Sequence, residues 1–223
     1  MQKRIIILFL TVFVSVAAVI GQKPLFSIAT DFDIQHSFKK GQRYWAIGQA
    51  VQGHFHFTPK EGVYLWISYY SDGKFSNDLT ADAKSGSTNP QQINYVNSAS
   101  MRFKHFSVGW KHYLKGAYDI DGTWNLYGYA GFGLMMGRVI NIHSVLVDTS
   151  MYAVPVLSGQ ANFKRLTLDL GLGGEVPIGG SVYFYAEGRA LVPTTDYPSD
   201  HIFINKNAPF VASINFGVRI LFD

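Results

Sequence analysis

Cysteine is absent from the 223-residue chain, and only 15% of the residues are charged. The lack of cysteine excludes a disulfide scaffold, thiolate zinc sites and cysteine nucleophiles. Average chains carry roughly 25% charged residues. The low charge therefore argues against disorder, coiled coils and nucleic-acid binding, which all depend on abundant charge. Aromatic residues, by contrast, make up 15% of the chain, and 22 residues are glycine.

The N-terminal segment has the pattern of an export signal. Lys3 and Arg4 form a short positive region, an apolar run covers residues 5–16, and Val19 and Gly21 supply the small residues of a cleavage site. The apolar run is shorter than the ~20 residues of a membrane-spanning helix, and no basic stop-transfer patch follows it. We therefore predict a cleaved signal peptide at residues 1–21 and one domain over residues 22–223.

Beyond this segment, long hydrophobic runs and apolar stripes of helical period are both missing. Period-two alternation takes their place, most clearly over residues 210–222. Successive side chains of a β-strand point to opposite faces, so one face of this run is apolar and the other is mixed. The apolar face consists of Phe210, Ala212, Ile214, Phe216, Val218, Ile220 and Phe222.

The same alternation recurs seven more times, and each run has one apolar face and one face of glycines, tyrosines and isolated charges. These runs are residues 26–34, 45–57, 63–70, 106–114, 124–136, 166–176 and 181–192. The chain is therefore predicted to be all-β, with eight strands.

The charges on the less apolar faces decide which face meets water. Solvated faces are usually rich in charged and hydroxyl side chains, but here acids and bases are few and nearly balanced. Such a set indicates a self-neutralising network inside a narrow barrel, because an unpaired buried charge is costly. The apolar faces would then meet lipid, as in a transmembrane β-barrel. The predicted interior network is Asp31, Asp33, Lys111, Arg165, Asp169, Glu175, Glu187, Arg189 and Arg219.

The connections between the predicted strands alternate in length. Compact turns rich in Gly, Pro or Asp are expected at residues 58–61, 115–122 and 177–180. The opposite ends carry longer loops at residues 71–100, 138–162 and 193–208, with one short exception at residues 39–43. Outer-membrane barrels combine short periplasmic turns with longer external loops. The order in which short turns and long loops alternate along the chain predicts an antiparallel up-and-down barrel with both termini on the short-turn side.

The C-terminal strand contains a more specific motif. Asn215, Gly217, Ile220 and Phe222 match, position by position, the signal read by the barrel assembly machinery; Asp223 departs from it, because that signal commonly ends on the aromatic residue. The chain resembles the eight-stranded outer-membrane barrels of Gram-negative bacteria, of the OmpA transmembrane-domain and OmpX type. The resemblance implies residence in the bacterial outer membrane, contact with its lipid and lipopolysaccharide, and assembly by that machinery.

Function is expected at the external loops, because eight strands enclose an interior filled by side chains. Residues 138–162 contain two apolar, strand-like segments, predicted to extend the fifth and sixth strands as a hairpin that binds surface proteins by strand addition. Pro155 would blunt such an edge and favours a purely structural hairpin. The predicted contact residues are Val139, Ile140, Ile142, Tyr152 and Val154. The favoured interpretation is a non-enzymatic envelope protein with an occluded interior.

Three alternatives remain open, and the first is a soluble secreted barrel of the lipocalin type. A narrow channel for small hydrophobic or ionic solutes would be supported by single-channel conductance. A lipid A-modifying enzyme would use a His/Ser pair, which His105 and Ser107 resemble by spacing. That pair is predicted to face the interior, lacks an orienting carboxylate, and is followed by Val108 where such enzymes carry asparagine.

The remaining histidines give no reason to expect a metal or other cofactor. His54 and His56 have the spacing of a strand metal pair, but two imidazoles are a weak ligand set. His36 could join them only if its side chain faced the same way. No metal, cofactor or nucleic-acid partner is therefore expected.

Overall fold

The computed structural model describes residues 25–39, 41–194, 200–202 and 210–222. The predicted signal peptide lies outside these ranges. Within them the chain forms only strands, turns and loops, and no helix is long and apolar enough to span a membrane. The strands are β1 (Leu25–Ser37), β2 (Trp45–His56), β3 (Glu61–Ala83), β4 (Gln92–Lys115), β5 (Asn125–His143), β6 (Tyr152–Ala153), β7 (Gly159–Gly179), β8 (Val182–Pro193) and β9 (Val211–Phe222).

Eight of the strands close into a ring, and all neighbours are antiparallel. The order around the ring is β1-β2-β3-β4-β5-β7-β8-β9. Strand β9 returns to β1 with a register that runs from Phe26 opposite Phe222 to Ser37 opposite Val211. The two-residue strand β6 lies outside the ring and pairs with the end of β3. The predicted eight-stranded up-and-down barrel is confirmed.

The apolar faces of the strands point away from the barrel axis, as predicted. Phe132 is 68% exposed and Ile214 is 58% exposed, whereas Asp169 and Arg219 are almost completely buried. A soluble barrel has the opposite arrangement, with apolar side chains inside. We call the outward-facing apolar side chains of the eight ring strands the apolar belt; such a surface is expected where a barrel meets hydrocarbon.

Aromatic side chains gather where the strands meet the compact turns, which we call the short-turn end. Phe57 stacks on Trp110 with ring centroids 5.7 Å apart, and the Lys115 ammonium lies 3.7 Å from the Trp124 ring centroid. Aromatic rings and snorkelling lysines at strand ends are typical of the interface between hydrocarbon and water. The turns at this end occupy residues 57–60, 116–124 and 180–181, close to the predicted positions.

The prediction that residues 71–100 form an external loop is wrong. Strand β3 continues to Ala83 and β4 begins at Gln92, so only residues 84–91 connect them. A β-bulge shifts the register between Tyr70 and Gly73. Because a bulge adds one residue to a strand, the inward side chains change from even to odd positions there, which hid the alternation of this segment.

The outer parts of β3, β4 and β5, together with β6, form a sheet that rises beyond the barrel, at the end opposite the short turns. We call residues 74–83, 92–100, 140–143 and 152–153 the projecting sheet. It has a small hydrophobic core of its own, made of Leu79, Ala81, Tyr95, Val147, Tyr152 and Val156. The ring of Tyr95 packs 4.5 Å from that of His143, and burial lowers the pKa of this histidine. The sheet is thus a folded extension rather than a set of loops.

Candidate functional site

The centre of the barrel is filled by ion pairs around Arg189. Its guanidinium lies 2.6 Å from an oxygen of Asp31 and 3.7 Å from one of Asp33, and its Nε donates to Glu187 at 2.7 Å. All four side chains are at most 6% exposed. One cation therefore serves three buried carboxylates, which makes it the central electrostatic element of the interior.

Hydroxyl and amide groups also donate hydrogen bonds to two of these carboxylates, Asp31 and Glu187. Tyr185 and Gln52 donate to Asp31 at 2.8 and 2.6 Å, and Tyr127 donates to Glu187 at 2.8 Å. The guanidinium of Arg189 also lies 4.5 Å from the ring centroid of Trp66. Because buried charges need both a counter-charge and hydrogen bonds, these aromatic side chains act as part of the network as well as space-filling groups.

A second group of charges lies nearer the short-turn end. Glu175 accepts two hydrogen bonds from Arg219, at 2.7 and 3.0 Å, and one from Asn125 at 3.1 Å. The Lys111 ammonium lies 4.0 Å from Glu175 and 3.5 Å from the ring centroid of Tyr127. Arg219 also donates to the backbone oxygen of Tyr118 at 2.7 Å. This contact fixes the 116–124 turn across the barrel opening.

His105 belongs to a third interior group and does not contact Ser107 by a hydrogen bond. Its Nδ1 accepts from the indole of Trp66 at 3.0 Å, and its Nε2 lies 3.0 Å from Thr167 Oγ1 and 3.3 Å from Asp169. Sequence reasoning missed Asp169 as a neighbour of this histidine. The Ser107 hydroxyl instead lies 3.4 Å from the Tyr64 hydroxyl. The geometry lacks the nucleophile–base contact that a hydrolase needs.

All nine residues of the predicted interior network lie inside the barrel, each at most 6% exposed. Eight of them belong to the three groups above. The ninth, Arg165, is nearer the opposite end and lies 5.6 Å from the ring centroid of Phe163. His54 and His56 also face inward, whereas His36 packs outside against Trp45. The described residues contain no group of three or more side chains suited to a metal ion.

Buried side chains pack together towards both ends of the interior. At the short-turn end, the ring of Tyr118 stacks 4.5 Å from that of His56. Towards the other end, a cavity of about 10 Å³ is lined by Gln42, Tyr44, Met101, Met135, Phe163, Arg165, Pro193, Ile202 and Val211. A cavity of this size holds at most one water molecule.

The residues of the C-terminal motif lie on β9, which pairs with β8 and β1. Asn215 and Gly217 face the interior, and Ile220 and Phe222 lie on the apolar belt. Asp223 lies outside the described residues.

The predicted contact hairpin is wrong at two of its five residues. Val139 and Tyr152 are 1% and 6% exposed, so they cannot offer a binding surface. Val139 faces the barrel interior, and Tyr152 belongs to the core of the projecting sheet. Ile142 is 65% exposed, and Ile140 and Val154 are half-buried. The segment at 152–153 does not extend the barrel strand; it folds back and pairs with Asp82 and Ala83.

The projecting sheet leaves one strand edge open that sequence reasoning did not find. The pairing of β2 with β3 ends at Gly48 opposite Tyr70, and β6 pairs only with Asp82 and Ala83. Between them, residues 72–81 of β3 have no strand partner on that side within the described ranges. Asn77 contacts the loop between β1 and β2 there, through a hydrogen bond to the Gly41 oxygen at 2.8 Å. Unpaired edges are the sites at which a sheet accepts a further strand.

Comparison with known proteins agrees with this architecture. No family model matches the chain, and no curated protein matches it. Among solved structures, Neisserial surface protein A is 10% identical, with a TM-score of 0.51 over 88% of this chain and 97% of that one. A major outer membrane protein from Thermus thermophilus is also 10% identical, with a TM-score of 0.51 over 88% of this chain and 99% of that one.

The fold and the apolar belt together define the class of the protein. It has the fold of the outer-membrane β-barrels, with the eight-stranded architecture of the OmpA and OmpX type and an outer surface suited to hydrocarbon. The similarity in sequence is too low to carry any more specific role from these structures to this chain.

Proposed function

We propose that the protein is a non-enzymatic component of the bacterial outer membrane that makes contacts at the cell surface through its projecting sheet. The observation that carries this proposal is the open edge of β3 at residues 72–81, on a sheet with its own hydrophobic core. An exposed edge on a rigid support can bind an extended segment of a partner by backbone hydrogen bonds. The barrel serves as the membrane anchor.

The side chains along this edge suit a contact made in water. Lys74, Ser76 and Asp78 point away from the small core and are exposed, whereas Leu79 and Ala81 point into it. A partner strand would therefore gain its affinity from the backbone ladder and its selectivity from alternate side-chain positions. The expected partner is an extended protein segment with a polar outer face.

The alternatives have less support. A channel requires an open path, whereas buried side chains pack together towards both ends of the interior. A lipid A hydrolase requires a nucleophile that contacts its base and is open to lipid. Instead, His105 and Ser107 are both buried in the barrel, and His105 hydrogen-bonds to Trp66 whereas Ser107 lies beside Tyr64. We therefore propose neither activity for this chain.

Shortening the projecting hairpin tests the proposal. Residues 76–98 are replaced by Asn-Gly, which joins the paired positions Phe75 and Ala99 through a tight turn. The matched control replaces only residues 84–90 with Asn-Gly, which joins the opposite residues Ala83 and Gln91 and keeps the β3 edge. Bacteria that display each variant are assayed for adhesion to host and bacterial surfaces. We expect the shortened hairpin to reduce adhesion about tenfold or more, because the pairing edge is gone, while the control adheres like the parent.

The two variants must reach the membrane at equal levels, which is checked by their migration on gels with and without heating. Equal adhesion of the shortened variant and the parent would contradict the proposed role of the sheet.

A further inference from the structure

Four basic residues lie together on the outer surface of the barrel, at the edge of the apolar belt farthest from the short turns. Arg102 and Lys104 are on β4, Arg138 is on β5 and Lys164 is on β7. Arg102 lies opposite Arg138, and Met136 lies between Lys104 and Lys164 in the next row. We call these four residues the basic patch.

The basic patch carries more positive charge than its surroundings neutralise. Directly opposite side chains on neighbouring strands are only about 5 Å apart at Cβ, and like charges in that arrangement are destabilising. Asp72 lies 3.9 Å from Arg102. Within the described part of the chain, no carboxylate lies within 4 Å of Lys104, Arg138 or Lys164. An anion from outside the chain would relieve this repulsion.

The height of the basic patch on the barrel indicates where that anion comes from. The next outward row towards the short turns is apolar and contains Phe106, Leu134 and Leu166. On β5 the outward run from residue 126 to residue 136 is uncharged, close to the ~9–11 tilted residues that cross the hydrocarbon. The basic patch therefore begins where the hydrocarbon ends, which is the level of lipid headgroups.

The charge is confined to one side of the barrel. The outward-facing residues of β1, β2, β8 and β9 include no lysine or arginine. The basic patch also borders a surface cleft of about 460 Å³, to which Tyr69, Met136 and Phe163 contribute apolar or aromatic surface. A localised cleft of cations beside apolar surface fits an amphiphilic anion better than it fits a diffuse layer of counterions.

We infer that the basic patch binds the phosphate groups of a phosphorylated glycolipid in the outer leaflet, whose acyl chains lie against Phe106, Leu134 and Leu166. Arginine and lysine bind phosphate through charge-assisted hydrogen bonds, and the guanidinium groups can do so with two bonds each. The inference rests on the membrane placement in the proposed function, but it does not depend on the projecting sheet or on adhesion.

The test compares two fourfold variants of the full chain with the same change in charge. The patch variant is R102Q/K104Q/R138Q/K164Q. The control, K39Q/R43Q/K60Q/K84Q, removes four cations that lie outside the basic patch and outside the β3 edge. Each protein is purified in a detergent with an uncharged headgroup and titrated with bis-phosphorylated lipid A, with native mass spectrometry as the readout. We expect the patch variant to bind about tenfold more weakly or worse, because each lost cation weakens attraction to an anionic headgroup, and the control to bind within about twofold of the parent.

Further arms separate the sources of phosphate. Monophosphorylated lipid A should bind the parent more weakly than the bis-phosphorylated form, and inorganic pyrophosphate should compete poorly because it lacks acyl chains. Competition by pyrophosphate as strong as that by lipid A would overturn the assignment to a lipid. Equal binding by the patch variant and the parent would overturn the site. The double variant K104Q/K164Q repeats the test if the fourfold patch variant does not fold. Two outcomes separate this inference from the proposed surface role. The patch variant should lose lipid binding but keep normal adhesion, and the shortened-hairpin variant should lose adhesion but keep normal lipid binding.

Discussion

Replacement of Arg189 by methionine is expected to destabilise the barrel by about 3–5 kcal/mol. Methionine keeps much of the volume but removes the cation that serves Asp31, Asp33 and Glu187. Three carboxylates would then lie buried without this cation, and the hydroxyl and amide groups nearby donate to Asp31 and Glu187. Unfolding in urea from lipid vesicles, followed by the gel mobility of unheated samples, measures the loss.

Two controls separate the charge network from charge in general. Arg43→Met removes an exposed arginine and should shift the unfolding midpoint little, since surface charges contribute little. The double variant Arg189→Met/Asp31→Asn removes one of the stranded carboxylates and should recover part of the lost stability. If Arg189→Met unfolds at the same urea concentration as Arg43→Met, the interior does not depend on this ion-pair group.

A second large effect is expected at Gly131, which faces the interior on β5. A Cβ at this position would lie 2.3 Å from the backbone oxygen of Val108 and from the Tyr64 hydroxyl. The backbone oxygen belongs to the neighbouring strand and cannot move without disturbing the ladder. Gly131→Val should therefore cost at least about 1–3 kcal/mol, the usual range for overpacking, and should reduce the yield of folded barrel in vesicles.

Gly128 provides the matched control on the same strand. It faces outward, and a Cβ there would meet nothing closer than 3.7 Å. Gly128→Val should fold with the yield of the parent, because the added methyl groups would join the apolar belt. Equal folding yields of the two valine variants would show that the barrel interior can accommodate the added side chain, which would contradict the tight packing at Gly131.

The sequence is sufficient to predict the barrel because the alternation of apolar and polar residues indicates, for each strand residue, whether its side chain faces the interior or the outside. In β9 that indication is correct from Val211 to Phe222 without interruption. Alternation also predicts that Asp169, Glu187 and Arg219 face the interior, and all three are buried there. Alternation does not, however, give the position of a residue along the barrel axis relative to residues of other strands. It put His105 and Asp169 inside, but their 3.3 Å separation depends on the register of three strands.

The errors also have identifiable physical causes. The β-bulge after Tyr70 reverses the alternation along β3, so the sequence of this continuous strand has the pattern of a polar loop, and this explains the wrong prediction for residues 71–100. The position of Tyr152 was missed because its pairing with Ala83 joins segments far apart in the chain, and a two-residue strand has no period to detect. Val139 was assigned to an exposed hairpin although the same alternation, continued along β5, places it inside.

Labelling of single cysteines tests most directly whether the apolar belt faces hydrocarbon, and the absence of native cysteine makes the experiment clean. Phe132→Cys and Ile214→Cys place a thiol on the belt, and Ile142→Cys places one on the projecting sheet at similar exposure. With the protein folded in vesicles, a membrane-impermeant maleimide should label Ile142→Cys rapidly and leave the two belt cysteines unreacted, while dyes attached to the belt positions should be quenched by lipids brominated on their acyl chains. Rapid aqueous labelling of the belt cysteines, without quenching by brominated lipid, would contradict the account.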